Sequence, residues 1–172
     1  QAKGSFAIYK NQTKIQLSDG KTVETDVLTL GGTELEAFFG VTNQDKAALG
    51  LTLGSTNLAL ALFSERVQNA PRKWTTLKAD SKNIALVGVD NIELAAKNIQ
   101  LELNLEDKNS KTVVDFKDKN FAVATGEDSQ VVFNYDGKAG ELIRAAGNLD
   151  INVNQFFSVG GRFAFEKSSE KL

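Results

Sequence analysis

Residues 92–105 read IELAAKNIQLELNL. Apolar side chains recur at every second position on both sides of Asn98, which is the period of a strand and not of a helix. Counted from Asn98, Ile92 and Leu94 stand at −6 and −4, whereas Ile99, Leu101 and Leu103 stand at +1, +3 and +5. The parity changes at the asparagine. In an unbroken strand that change exchanges the two faces of the sheet. A bulge, a corner or a tight turn near Asn98 would absorb the odd residue. Asn tolerates the left-handed backbone that such a site often needs.

The pattern occurs twice more. One copy is Leu51 and Leu53, the small residues Gly54-Ser55-Thr56, then Asn57, Leu58, Leu60 and Leu62. A degenerate copy is Leu142, Ala145-Ala146-Gly147, Asn148, then Leu149, Ile151 and Val153. Each copy predicts a bulged or bent strand; the functional alternative is a ligand-binding row of Asn57, Asn98 and Asn148. The spacings of 41 and 50 residues are unequal. That argues against a regular solenoid and for antiparallel sheets of similar strands.

The same alternation covers Leu49–Leu53, Leu58–Leu62, Leu149–Val153 and Phe163–Phe165, and about a dozen strands are expected. Thr33–Phe39 and Gln44–Ala48 have helix-friendly residues but are short, and the first also fits a strand. Asp19-Gly20 and Asp136-Gly137 predict type I′ hairpins. Asn109-Ser110 predicts a weaker turn, and Glu65–Thr75, with the single Pro71 and the single Trp74, a loop. The expected fold is all-β and mostly antiparallel. Its long amphipathic strands, bulged in places, would form a sandwich-like or elongated β-repeat.

The two ends of the chain resemble each other. Gly4-Ser5-Phe6-Ala7-Ile8-Tyr9-Lys10 matches Gly161-Arg162-Phe163-Ala164-Phe165-Glu166-Lys167, 157 residues later. Over residues 1–15 and 158–172 there are five identities, where random pairing gives about one. Residues 1–172 therefore read as one repeat unit with a period of about 157 and overlapping ends. The expected repeat junction is Gly4, Phe6 and Ile8 with Gly161, Phe163 and Phe165. With no Met in the chain, Gln1 is expected to be a processed end or an internal cut.

Composition narrows the chemistry. There is no Cys and no His, so disulfides, thiolate metal sites and the commonest general base are missing. Twenty basic and 22 acidic residues are interspersed, for a net charge of −2. No basic stripe awaits nucleic acid, and no apolar run is long enough for a membrane-spanning helix. No catalytic motif is present, and an enzyme is not expected. Asp107, Asp115 and Asp118 are candidate calcium ligands, although Lys108, Lys111, Lys117 and Lys119 lie among them; otherwise no cofactor is expected. Phe38-Phe39, Phe156-Phe157 and Trp74 are candidates for a sugar-stacking or membrane-touching surface. Eleven Phe against two Tyr and one Trp favour core packing, above all for Phe163 and Phe165.

Residues 85–104 (ALVGVDNIELAAKNIQLELN), 112–116 (TVVDF) and 142–167 (LIRAAGNLDINVNQFFSVGGRFAFEK) resemble the repeat of giant, tandemly repetitive bacterial cell-surface proteins. The resemblance implies an extracellular, cell-surface setting and a structural role in an adhesin, stalk or filament. The partners it implies are neighbouring copies of the same repeat. The alternatives are a module that binds cell-surface glycan or protein, and an outer-membrane β-barrel.

Overall fold

The computed structural model describes residues 2–43, 46–90, 92–153 and 157–169. Five long strands come first: β1 (Ala2–Leu17), β2 (Thr22–Asn43), β3 (Lys46–Glu65), β4 (Lys73–Val87) and β5 (Ile92–Leu105). Three short ones follow: β6 (Val114–Asp115), β7 (Phe121–Ala124) and β8 (Gln130–Phe133). Long strands β9 (Leu142–Val153) and β10 (Phe157–Ser168) end the chain. One antiparallel sheet runs β10-β9-β5-β4-β3-β2-β1-β6, and β7 and β8 form a separate hairpin. The fold is all-β and antiparallel, as the alternation predicts. Thr33–Phe39 is part of β2. Of Gln44–Ala48, Gln44 and Asp45 lie outside the described residues, and Lys46–Ala48 open β3.

Asp19-Gly20 does close the β1–β2 hairpin, but not as a type I′ turn. Gly20 N–H donates to the Leu17 carbonyl, Leu17 N–H donates to Lys21, and only Gly20 has positive φ (84°). That is a type I turn followed by a left-handed glycine, the usual three-residue hairpin loop. Asp136-Gly137 makes no hairpin. Asp136 instead caps a short 3-10 helix, Gly137–Ala139, on the way from β8 to β9. A turn at Asn109-Ser110 is present and is held by Asp107.

Residues between β5 and β9 fold back as a cap over one face of the sheet. This cap crosses from β5 to the far edge, where Val114 and Asp115 of β6 pair with Leu17 and Gln16. The β7–β8 hairpin then lies over the strands. The core forms here: Val27, Ala59, Ala61, Phe63 and Trp74 of the sheet pack with Phe116, Val123 and Phe133 of the cap. Phe63 and Phe121 meet edge to face, with ring centroids 5.3 Å apart. The Trp74 indole N–H donates to the Thr112 carbonyl at 3.0 Å, so a buried polar atom is satisfied. Thr76 and Asn104 are linked in the same way, and Asn104 donates to the Val114 carbonyl.

The middle of the capped face is made of small residues, and this permits the cap to approach. A Cβ on Gly31 would stand 1.8 Å from the Ala124 carbonyl oxygen. On β3 the core residues are Ala59, Ala61 and Phe63, so Leu58, Leu60 and Leu62 face the other way. Residues 58–63 read LALALF, apolar on both faces, although the cap covers only one of them.

A crease crosses the four central strands. Between the rows of paired residues that flank it, three steps replace the usual two: Gly32 to Leu35 in β2, Leu53 to Thr56 in β3, Ser81 to Ile84 in β4 and Ala96 to Ile99 in β5. Across from β5, strand β9 takes only two steps, from Gly147 to Leu149. Left-handed residues mark three of the four strands: Glu34, Ser55 and Asn98, with φ of 51°, 46° and 53°. The copies at Asn57 and Asn98 are therefore bulged as predicted, although Ser55 and not Asn57 is the left-handed residue. No bulge occurs at Asn148. Leu142 faces the cap, and the regular series of β9 is Ile143, Ala145, Gly147, Leu149, Ile151 and Val153.

Gly31→Ala should lower the stability of the whole domain by about 3 kcal/mol, the upper end for overpacking, because the clash is with backbone. Urea denaturation followed by Trp74 fluorescence measures it. An unchanged midpoint would show that the cap does not rest on Gly31.

Candidate interaction surfaces

The face of the sheet opposite the cap is apolar from Leu28 and Leu62 to Val41 and Leu49. One row across paired strands is Ile8, Leu30, Leu60, Leu77, Leu103 and Ile143. Beyond the crease another is Phe39, Leu51, Leu86, Leu94, Ile151 and Val159. The bulges keep these rows on one side: a Cβ on Gly32 would meet the Leu35 side chain, and one on Gly147 would meet Ile99. Sixteen large apolar residues stand exposed among the described residues, and thirteen of them lie on this face. Their exposure is thus one continuous patch, and a patch of this kind marks an interaction surface. Within this patch the charges, Lys10 and Lys167, sit on the edge strands; below Leu28 and Leu62 the same face turns polar, with Lys14, Glu24, Asp26 and Lys73. The polar side chains inside the patch, Thr56 and Ser81, bond to each other at 2.8 Å.

The two edges form a second surface. Among the described residues, β10 has β9 on one side and no strand on the other. β1 is open on its outer side from Gly4 to Asn11, because β6 pairs only with Gln16 and Leu17. β1 and β10 are six strands apart in a fully antiparallel sheet, so they run in the same direction. Phe6 and Ile8 point to the apolar face, and so do Phe163 and Phe165. All four are exposed, at 67, 59, 40 and 55 %. Phe163 and Phe165 are thus edge residues and not core, because the strand that carries them is covered on one side only. The glycines differ. Gly4 has φ of 122° and lies under the β2 bulge, where a Cβ would stand 2.7 Å from the Glu34 carbonyl oxygen. Gly161 has open space around it.

The capped face carries a charged row beyond the core. Lys78, Glu102, Arg144 and Glu166 are consecutive cross-strand partners, and Arg144 binds both Glu102 and Glu166. The Glu166 carboxylate, then that of Glu102, holds the Arg144 guanidinium above its usual pKa. Tyr135 donates to Glu102, and burial, then the neighbouring Glu102, raises its phenol well above the ordinary range.

The candidate calcium ligands do not converge. Among the described residues no three acidic side chains gather where they could hold a metal ion. Asp107 is buried and accepts N–H groups from Lys73, Asn109 and Ser110. Burial by itself would raise its pKa, but the Ser110 and Lys73 amides outweigh that and hold it below the usual carboxylate range. Asp115 accepts from the amides of Lys117 and Gly137. Asp118 is exposed on the loop between β6 and β7. The asparagines do not share a row either. Asn57 accepts the Glu34 amide and donates to Asp80, Asn98 is the bulged residue itself, and Asn148 pairs with Lys97 and Arg162.

Trp74, 1 % exposed, is a core residue and offers no sugar-stacking surface. Phe38 is half-buried with its ring over Gly40 and Gly50, and Phe39 stands exposed on the apolar face. Phe156 and the side chain of Phe157 lie outside the described residues. The apolar face went unread in the sequence because its alternation looks the same as that of a covered core. Among the described residues no helix is long and apolar enough to cross a membrane. No protein-family model, no curated protein and no solved structure matches the chain.

Substitutions at Asn98 and Asp107 separate geometry from chemistry. Asn98→Val should cost about 1–2 kcal/mol, the left-handed penalty of a side chain with a branched Cβ, while Asn98→Gly should be neutral or better. Equal losses in thermal unfolding would show that the Asn side chain matters and not its φ. Asp107→Asn turns an NH₂ group toward a backbone donor and should cost about 2 kcal/mol at pH 7. The folded carboxyl titrates below its unfolded value near 3.9, so its stabilisation is complete above that pH and is lost as pH falls through the folded value. The gap between variant and parent in urea denaturation should therefore close in acid; a gap that stays constant to pH 2 would contradict this.

Proposed function

We propose that this chain is a structural unit of an extracellular bacterial stalk, adhesin or filament. In this reading the unit joins neighbouring copies of itself edge to edge, and its role is mechanical. One observation carries the proposal: β1 and β10 have matching sequences, the same direction, the same outward face and open outer edges. A copy continuing after Leu172 would use β10 as its own first strand, and its second strand would pair along the open side. The two positions are six strand-to-strand steps apart, and antiparallel propagation requires an even number. The other end is equally prepared. The segment of β10 that pairs with β9, Phe157–Ser168, corresponds in sequence to positions on β1 no further than Asn11. It therefore stops short of Gln16, where β6 begins to pair.

Strand ladders suit such a role, because the long axis of the array runs across the strands and tension along it is shared by all the hydrogen bonds of each ladder. Open edges also explain why the unit would be built for neighbours, since an uncovered edge is a template for pairing.

Gly161 supplies the test. On this reading its open space is filled by the bulge of the next second strand, as Glu34 fills the space over Gly4. Gly161→Val should change the stability of the single unit by less than about 0.5 kcal/mol. In a chain that continues after Leu172 with residues 16–172 once more, the same substitution should uncouple the halves, seen as a separate unfolding transition and lost amide protection in β10. If β10 gains no protection in the longer chain, or if the substitution is silent in both, edge-to-edge joining is wrong.

A further inference from the structure

We propose that two copies of this chain pack face to face through the apolar side of the eight-stranded sheet, as the two layers of a β-sandwich. The contact uses the face and not the edges, so it holds for the isolated unit and stands apart from the edge-to-edge reading.

Size is the first argument. Seven strands at about 4.8 Å spacing and thirteen steps from Leu49 to Leu62 at about 3.3 Å give a patch of roughly 29 by 43 Å. Two such patches in contact would remove on the order of 2,400 Å² from water. That exceeds the 1,200–2,000 Å² or so of a standard stable complex and lies in the range of obligate dimers. Composition agrees. The patch has an apolar centre, and its charges, Lys10 and Lys167, stand on the outermost strands, the layout of a permanent interface with a polar rim.

Shape selects a second copy over other occupants. In the row next to the crease, Phe6, Leu58, Leu101 and Phe165 alternate with Gly32, Ala79 and Ala145. Large residues thus stand on every second strand with a furrow between. The alternation of large and small is the same from either end. A copy turned about a two-fold axis and displaced by one strand places its ridges in these furrows, which is the self-complementarity a two-fold contact requires. Sheets joined this way lie about 10 Å apart with their strands nearly aligned. A fluid acyl layer has no need of such corrugation. Both caps remain on the outside, so nothing blocks the approach.

Sedimentation velocity between about 1 and 100 μM tests this with the chain as it is, and the expected mass is twice 18.6 kDa. The pair Leu60→Glu and Leu103→Glu should raise the dissociation constant at least about 100-fold with unchanged Trp74 emission, which reports the capped core. Should that pair misfold, Leu51→Glu with Leu94→Glu, beyond the crease and away from the core, must give the same loss of dimer. Lys10→Pro should leave the dimer intact. The Lys10 amide shares the parity of Lys14 and Ser18, whose backbone groups turn to the outer side of β1, so proline there blocks edge pairing only. A wild-type monomer throughout the range overturns the proposal. A dimer lost in Lys10→Pro overturns it in favour of edge pairing, and one that survives both face variants overturns it outright. A monomer that co-sediments with phosphatidylcholine vesicles overturns it in favour of a lipid surface.

Discussion

A β-strand alternates strictly between two faces, and that period governs everything built on this sheet. Four adjacent strands break it once each, β3, β4 and β5 at the same level and β2 one row away. Without the extra residue, Leu51 and Leu53 would turn to the capped side while Leu58 and Leu60 remained on the other. With it, one side of the sheet stays apolar over the full length of its central strands. The costs are local: three left-handed non-glycine residues and interrupted ladders. Neighbouring side chains offset part of that cost, since Asn57 accepts the Glu34 amide beside the β2 bulge, and Ser81 bonds across to Thr56. Bends placed singly would disturb the pairing on both sides. Placed in register they leave β3, β4 and β5 paired above and below the crease without a change of register.

The capped core follows from the same sheet by a different route. Bulk in the capped face comes from Phe63 and Trp74 near one end, and Gly31, Ala59 and Ala61 keep the next rows low. The cap fills that depression with Phe116, Phe121, Val123 and Phe133. Large residues of the sheet are thus divided between two sides. Phe63 and Trp74 anchor the cap, and most of the aliphatic residues stay on the bare face together with Phe6, Phe39, Phe163 and Phe165. Beyond the crease none of the described residues forms a cap, and the sheet has one apolar side and one side bearing Glu93, Asp150 and Asn152.

Strand class and antiparallel order were legible because alternation is a property of adjacent residues. The bulges were legible for the same reason: an odd spacing between two alternating runs leaves little else for the backbone to do. Which side is covered was not legible. In LALALF both parities are apolar, and only the three-dimensional path of residues 106–141 decides that Ala59 and Ala61 lie under the cap. The third copy was misread because Leu142 and Ile143 are adjacent and either could open the alternating series. Its true phase is set by pairing with β5 and β10, which are distant in sequence. The Asp-Gly at 136–137 misled because Asp caps a short helix as readily as it opens a hairpin turn. Matching ends were visible from the start, but their common direction and face emerge only from the strand order.

Edge and face are independent surfaces, and the two proposals complement each other. Adding strands at the edges lengthens the sheet but widens its bare apolar side by the same proportion, so edge growth alone makes an ever larger surface that water disfavours. Face pairing alone hides that side but gives no length. Two sheets that grow by their edges while packed by their faces have neither defect. Their caps stand outward at each repeat, and the apolar rows are enclosed between the layers. The crease then has a consequence for assembly. It bends each sheet at one level, so two facing sheets can remain in contact above and below it only if their creases align. Alignment of creases would fix the stagger between the layers, a geometric register that leucine rows by themselves, being alike, would leave open.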